Sequence, residues 1–121
     1  MKLLRLTNAT RGNEVVARCI LADSFWTRGK GLLGRTSLPE DEGILLVPGA
    51  SIHMFGMKFS IDAVFLTKDD VVTDFVENLA PGKMHSAKAG AGKPFSTLEL
   101  AAGTVALTGI QIGDKIEREE I

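Results

Sequence analysis

The chain has 121 residues, of which 24% are charged, and a formal net charge of -1. That length suits a single domain over residues 1–121, and the charge balance excludes a general electrostatic pull on nucleic acid or an anionic membrane. Cys19 is the only cysteine, which excludes an internal disulfide and every paired-cysteine zinc pattern and leaves an internal thiol as the simplest reading.

The opening MKLLRLTNAT breaks its apolar run too early for a signal peptide or a membrane span. As given, the chain reads as cytoplasmic; a periplasmic or secreted location follows if a natural leader precedes this sequence. KLLRLTN and EVVARCILA are β-rich runs either side of ATRGN, where Gly12 and Asn13 supply turn chemistry, so a hairpin is expected. The period then changes. Asp23 can cap a helix running to Leu33, with Phe25, Trp26, Gly29, Leu32 and Leu33 on one face and Gly34 as the stop.

Four apolar segments follow the turn-rich TSLPEDEG: ILLV, SIHM, FSIDAVFL and VVTDFVENL. Their short connections predict antiparallel neighbours. APGKMHSAKAGAGKP has no apolar period and reads as a long surface loop, after which FSTLEL resumes as a strand. GTVALTG predicts one or two helical turns bounded by Gly103 and Gly109, and IGDKIERE a Gly-Asp turn into a last strand. The expectation is an all-β domain, an antiparallel β-sandwich or barrel of jelly-roll type with about eight short strands and one main helix near residues 23–33.

This order of segments resembles the prokaryotic family known as domain of unknown function 192. That family carries an Arg-x-x-Gly-Leu-Met-like string before a Gly-Met-Leu-Phe-like strand, and RGKGLL from Arg28 and GILL from Gly43 hold those places here. SIDAVFL matches its apolar-Leu-Asp-x-x-Phe string at Asp62 and Phe65. Leu98, Glu99 and Gly103 match its Leu-Glu-x-x-x-Gly string, and GIQIGDKI its closing Gly-Asp motif. The aromatic and Lys-Asn pair often found before the aspartate are replaced by His53 and by Phe55-Gly56. The resemblance implies a β-sandwich of jelly-roll type and no established activity.

The candidate site residues are Arg28, His53, Asp62 and Glu99. An isolated carboxylate such as Asp62 in an apolar strand costs several kcal/mol unless it is paired or hydrogen-bonded. Its structural reading gives it backbone amides at a turn or bulge, or the guanidinium of Arg28 or Arg35; its functional reading makes it an acid, base or ligand anchor. Alternation sends Glu99 away from Leu98 and Leu100, toward solvent or toward a site, and a solvated face is the cheaper explanation. A paired-carboxylate mechanism requires Asp62 and Glu99 to converge on one mouth of the fold.

No metal is expected, because His53, His85 and the carboxylates lack any ligand spacing, and no cofactor motif occurs. His85 reads as an exposed loop histidine. AGAGKPF fails as a phosphate loop because Ala87 and Pro94 stand where glycine and Ser/Thr are needed. Lys83, Lys88 and Lys93 read as solvating loop residues, and Trp26 as core rather than as a sugar platform. Three functions remain: a non-catalytic module binding a small polar or sugar-like ligand, which is favoured; an enzyme using Asp62 and Glu99 as acid and base; and a protein-interaction surface, which an exposed apolar patch would support.

Overall fold

The Gly12 turn closes a hairpin because its positive φ of 73° suits the glycine and its N–H bonds the carbonyl of Asn8 at 2.8 Å. In the computed structural model, which describes residues 2–24 and 32–121, that hairpin joins β1 (Leu3–Asn8) to β2 (Asn13–Ala22). The remaining strands are β3 (Glu42–Leu46), β4 (Ser51–His53), β5 (Ile61–Leu66), β6 (Val72–Leu79), β7 (Met84–Ser86), β8 (Ser96–Ala101) and β9 (Ile116–Glu120). A short helix, α1 (Thr104–Thr108), lies between Gly103 and Gly109, both at positive φ, as the glycine brackets predict. Most of the helix expected over Asp23–Leu33, with Trp26 and Arg28 on it, falls on residues 25–31, outside the described residues.

Seven strands form one sheet in the order β6-β5-β8-β3-β2-β1-β9, and β4 pairs with β7 in a second, two-stranded sheet. The all-β architecture is the expected one, with two corrections. The sheet is mixed rather than antiparallel throughout, since β2 and β3 run parallel from Arg18↔Glu42 to Ala22↔Leu46. Of the four consecutive apolar segments, only the last two, β5 and β6, are the antiparallel neighbours expected: β4 leaves for the small sheet and β8 inserts between β3 and β5. Gly43 permits that insertion, because a Cβ there would stand 3.0 Å from the Glu99 carbonyl oxygen and 3.2 Å from the Leu100 side chain.

One core cluster draws Leu4, Val16, Leu45, Val64, Leu98, Leu100 and Ile116 from strands across the whole sheet, together with Val105 of α1. The sheet therefore curls around this cluster. Its edges approach, with the Val72 N–H on the Asp114 carbonyl at 2.8 Å and the Ile116 N–H on the Asp70 carbonyl at 2.9 Å, but a lone Val71↔Lys115 bridge leaves the sheet unclosed. The outer face carries the second cluster, Ile44, Ile61, Ala63 and Phe65, and is covered by Ile52 and Met54 from around β4 and by Leu32, Leu38 and Leu79. With both faces covered, the central strands β5 and β8 are buried at every residue.

Candidate functional site

Asp62 is fully buried in β5, and its carboxyl is occupied. Between the pairs Ile61↔Leu79 and Ala63↔Val76, one residue of β5 faces two of β6, which is a β-bulge with Asn78 at φ 52°. The bulge leaves the Asn78 N–H without a ladder partner, and Asp62 Oδ1 accepts it at 2.9 Å. Oδ2 accepts from the N–H groups of Gly103 at 3.1 Å and Val105 at 2.9 Å, which open α1. Asp62 thus ties a strand, a bulge and a helix start together through backbone amides, one of the two structural partners its sequence setting calls for.

Glu99 is also buried but differs in its face and its partners. The β5–β8 register sets Asp62 opposite Leu100 and Ala63 opposite Glu99, so Asp62 and Glu99 point to opposite faces of the sheet and form no carboxylate pair. The expectation of a solvated Glu99 is corrected: the residue is 6% exposed, with β4 and the segment leading into it lying beside it. Its Oε1 is buried with no hydrogen-bond partner among the described residues, and burial pushes its carboxyl up to about 7. The side chain borders a cleft of about 170 Å³ together with Leu46, Pro48, Gly49, Ser51, Ile52 and Thr97. The Thr97 hydroxyl donates to the Gly49 carbonyl at 2.7 Å, which fixes the 47–50 turn over the end of β8.

His53 is not part of this cleft's lining. It lies on the outward side of β4, exposed, with its ring centroid 5.4 Å from that of Phe55, itself 59% exposed. Across the strand pair it meets Met84, which is 67% exposed. Arg28 lies outside the described residues. Of the three described candidates, only Glu99 therefore borders the cleft, and His53, Asp62 and Glu99 are not brought together.

The residues that sequence reasoning missed lie on the same face as Glu99. The glycine-rich segment is not wholly a loop, since Met84–Ser86 forms β7. His85 is half-buried rather than exposed, its ring stacked 5.3 Å from that of Phe65 and its Nε2 2.9 Å from Asp74 Oδ2. Asp74 also accepts the N–H groups of Lys88 and Phe75, each at 2.9 Å. Burial pushes the Asp74 carboxyl up, but the bonds from His85, Lys88 and Phe75 outweigh it and hold the group below its ordinary value. Thr73 anchors the rest of the segment, donating to the Gly92 carbonyl at 2.6 Å and accepting the Ala91 N–H at 2.9 Å. The sequence held one available signal: a histidine eleven residues beyond an aspartate that sits within a strand.

Two further residues are architectural. Cys19 is buried, and burial pushes its thiol up to about 12, so it is not a thiolate nucleophile. Asp114, of the closing Gly-Asp motif, accepts from Asn8 Nδ2 at 2.9 Å, Arg11 Nε at 2.6 Å and the Gln111 N–H at 2.9 Å. Among the described residues, no three His, Cys, Asp or Glu side chains are grouped to hold a metal ion, and no helix is long and apolar enough to cross a membrane.

Fold and cleft together define a class of all-β domain: a curled, unclosed mixed sheet with a small sheet on its outer face and a buried carboxyl between them. The chain belongs to the domain of unknown function 192 family, whose model, described as Uncharacterized ACR, matches residues 6–118. A UPF0127 protein of Thermococcus sibiricus is 32% identical over 94% of this chain and 74% of its own length. A UPF0127 protein of Pyrococcus furiosus is 28% identical over 93% of this chain and 96% of its own. The crystal structure of a protein of unknown function from Novosphingobium aromaticivorans superposes with a TM-score of 0.77 at 28% identity, covering 95% of this chain and 83% of that one.

Proposed function

We propose that this chain is a non-catalytic binding module for a small polar ligand, with the ligand seated against Glu99 in the cleft beneath the 47–52 segment. One observation carries the reading: Glu99 lines an open cleft, and its Oε1 is buried with no hydrogen-bond partner among the described residues. A buried polar atom without a partner costs about 1–3 kcal/mol, and a ligand donor would remove that cost. Leu46, Pro48 and Ile52 supply apolar wall, while Gly49, Ser51 and Thr97 supply polar atoms, the mixture expected of a small-molecule site. The acid–base alternative loses its geometry, because Asp62 turns to the other face and is occupied by three amides.

The test is amide NMR of the protein against a panel of small polyols, amines, alcohols and carboxylates. At least one probe should move the amides of Gly49, Ser51, Ile52, Thr97 and Glu99 together, and Glu99→Gln should abolish the response. If no probe moves those amides, the reading is wrong.

A second reading rests on its own observation. Phe55 and Met84 flank His53 on the outward side of the small sheet, and Leu33, 44% exposed, lies beside Gly56. Exposed apolar side chains at these positions support a protein-interaction surface. Phe55→Ser with Met84→Ser should then remove any self-association seen by sedimentation, whereas an unchanged sedimentation profile, or a monomer at all concentrations, leaves these side chains without that role.

A further inference from the structure

Resting on the binding reading above, we propose that the ligand of the Glu99 cleft carries a primary ammonium group on a short apolar stem, paired with the Glu99 carboxylate. The argument begins with what the cleft lacks. Its lining of Leu46, Pro48, Gly49, Ser51, Ile52, Thr97 and Glu99 contains one ionisable side chain and no cationic one among the described residues. Glu99 Oε1 is an acceptor without a donor. A buried carboxylate needs both a counter-charge and hydrogen-bond donors, and an ammonium group supplies the two together.

Thr97 points to the same chemistry. Its hydroxyl proton is committed to the Gly49 carbonyl at 2.7 Å, so the oxygen has only lone pairs left to offer. The cleft therefore presents the Glu99 carboxylate and the Thr97 hydroxyl oxygen as acceptors. An ammonium group has three N–H donors and no acceptor, which complements such a set. A hydroxyl ligand brings one donor and no charge, and a carboxylate ligand brings a repelling charge. Leu46, Pro48 and Ile52 would line the stem, and a volume of about 170 Å³ restricts it to a few carbons.

Binding would draw Glu99 into its charged form. Burial alone holds its carboxyl up at about 7, with no charged partner among the described residues opposing it. Among the described residues, the other charged groups on this face include Asp74 with His85, Glu42 with Arg35 at 3.2 Å, and Arg18, which sits opposite Glu42 in the β2–β3 register. Asp62 turns to the opposite face and His53 turns outward, so neither pairs with Glu99. Ammonium binding should thus release a proton below the Glu99 titration and none above it.

Calorimetry with propylammonium, propanol and propionate as probes tests this. Propylammonium should bind best, with affinity rising by roughly tenfold per pH unit below the Glu99 titration and levelling above it. Heats measured in two buffers of different ionisation enthalpy should show proton release at acid pH. Glu99→Gln should weaken propylammonium at least about tenfold while leaving propanol unchanged, and the pH profile should persist in His85→Gln, which separates Glu99 from the His85–Asp74 pair on the same face. Should Glu99→Gln fail to fold, the pH profile and proton release of the native chain decide the question alone. Propanol or propionate binding as tightly as propylammonium, or a flat pH profile, overturns the ammonium assignment while the cleft remains a binding site. No binding by any of these probes, together with a silent NMR panel, removes both.

Discussion

Two buried carboxyl groups lie on neighbouring strands of one sheet, Asp62 on β5 and Glu99 on β8, one register step apart. Asp62 is surrounded by amides that the fold leaves without partners, at a bulge and at a helix start, and it accepts three of them. Glu99 has an oxygen with no donor, beside a cleft. Burial is common to both and so identifies neither role. What separates architecture from a candidate site is whether the fold itself supplies the partners.

The sharpest break in that comparison is removal of the occupied group. Asp62→Ala strands three buried or half-buried N–H donors, each costing about 1–3 kcal/mol, so we expect a loss of about 3 kcal/mol or more in urea denaturation. A loss below about 1 kcal/mol would show that the bulge and α1 do not depend on Asp62.

The unoccupied group should behave in the opposite sense. Glu99 has its folded pKa raised, from 4.5 to about 7. The stability this contributes is fully present below the unfolded value and lost as pH rises through the folded one. At roughly 1.4 kcal/mol per pKa unit, the stability of the native chain relative to Glu99→Gln should fall by about 3 kcal/mol between about pH 4 and about pH 8. An unchanged difference between the two proteins across that range would mean that Glu99 is solvated or paired when charged.

Asp74 should give the smallest of the three effects. Its pKa is lowered, so the stability it contributes is present above its unfolded value and lost as pH falls through the folded one. Asp74→Asn weakens the bonds from His85 and two amides and should cost about 1–2 kcal/mol at neutral pH, read from the same urea titrations. It should also loosen β7 on the large sheet, raising hydrogen exchange at Met84–Ser86. Unchanged exchange would separate the His85 bond from the docking of the small sheet.

Local signals in the sequence reached some of this and not the rest. The Gly12 turn and the Gly103 and Gly109 brackets fix backbone conformations within a few residues, so the hairpin and α1 were legible. The need of Asp62 for partners was legible from the cost of leaving a carboxylate bare, but backbone amides at a turn or bulge and the guanidinium of Arg28 or Arg35 stood as alternatives, and the fold supplies the amides. The parallel β2–β3 pair and the insertion of β8 are pairings between distant segments, which no local period encodes. Glu99 was misjudged for a related reason. Alternation shows that it faces away from Leu98 and Leu100 but not whether that face is wet, and the residues beside it come from β4, three residues long, and the segment leading into it. His85 and Asp74 were hidden by β7, three residues within a segment that carries no strand pattern.

The central claim is that Glu99 is a buried carboxyl with no hydrogen-bond or charge partner among the described residues. A carbon-detected NMR titration of its side-chain carboxyl tests this most directly. The account predicts a midpoint near about 7, and a midpoint at the ordinary value of 4.5 would contradict it.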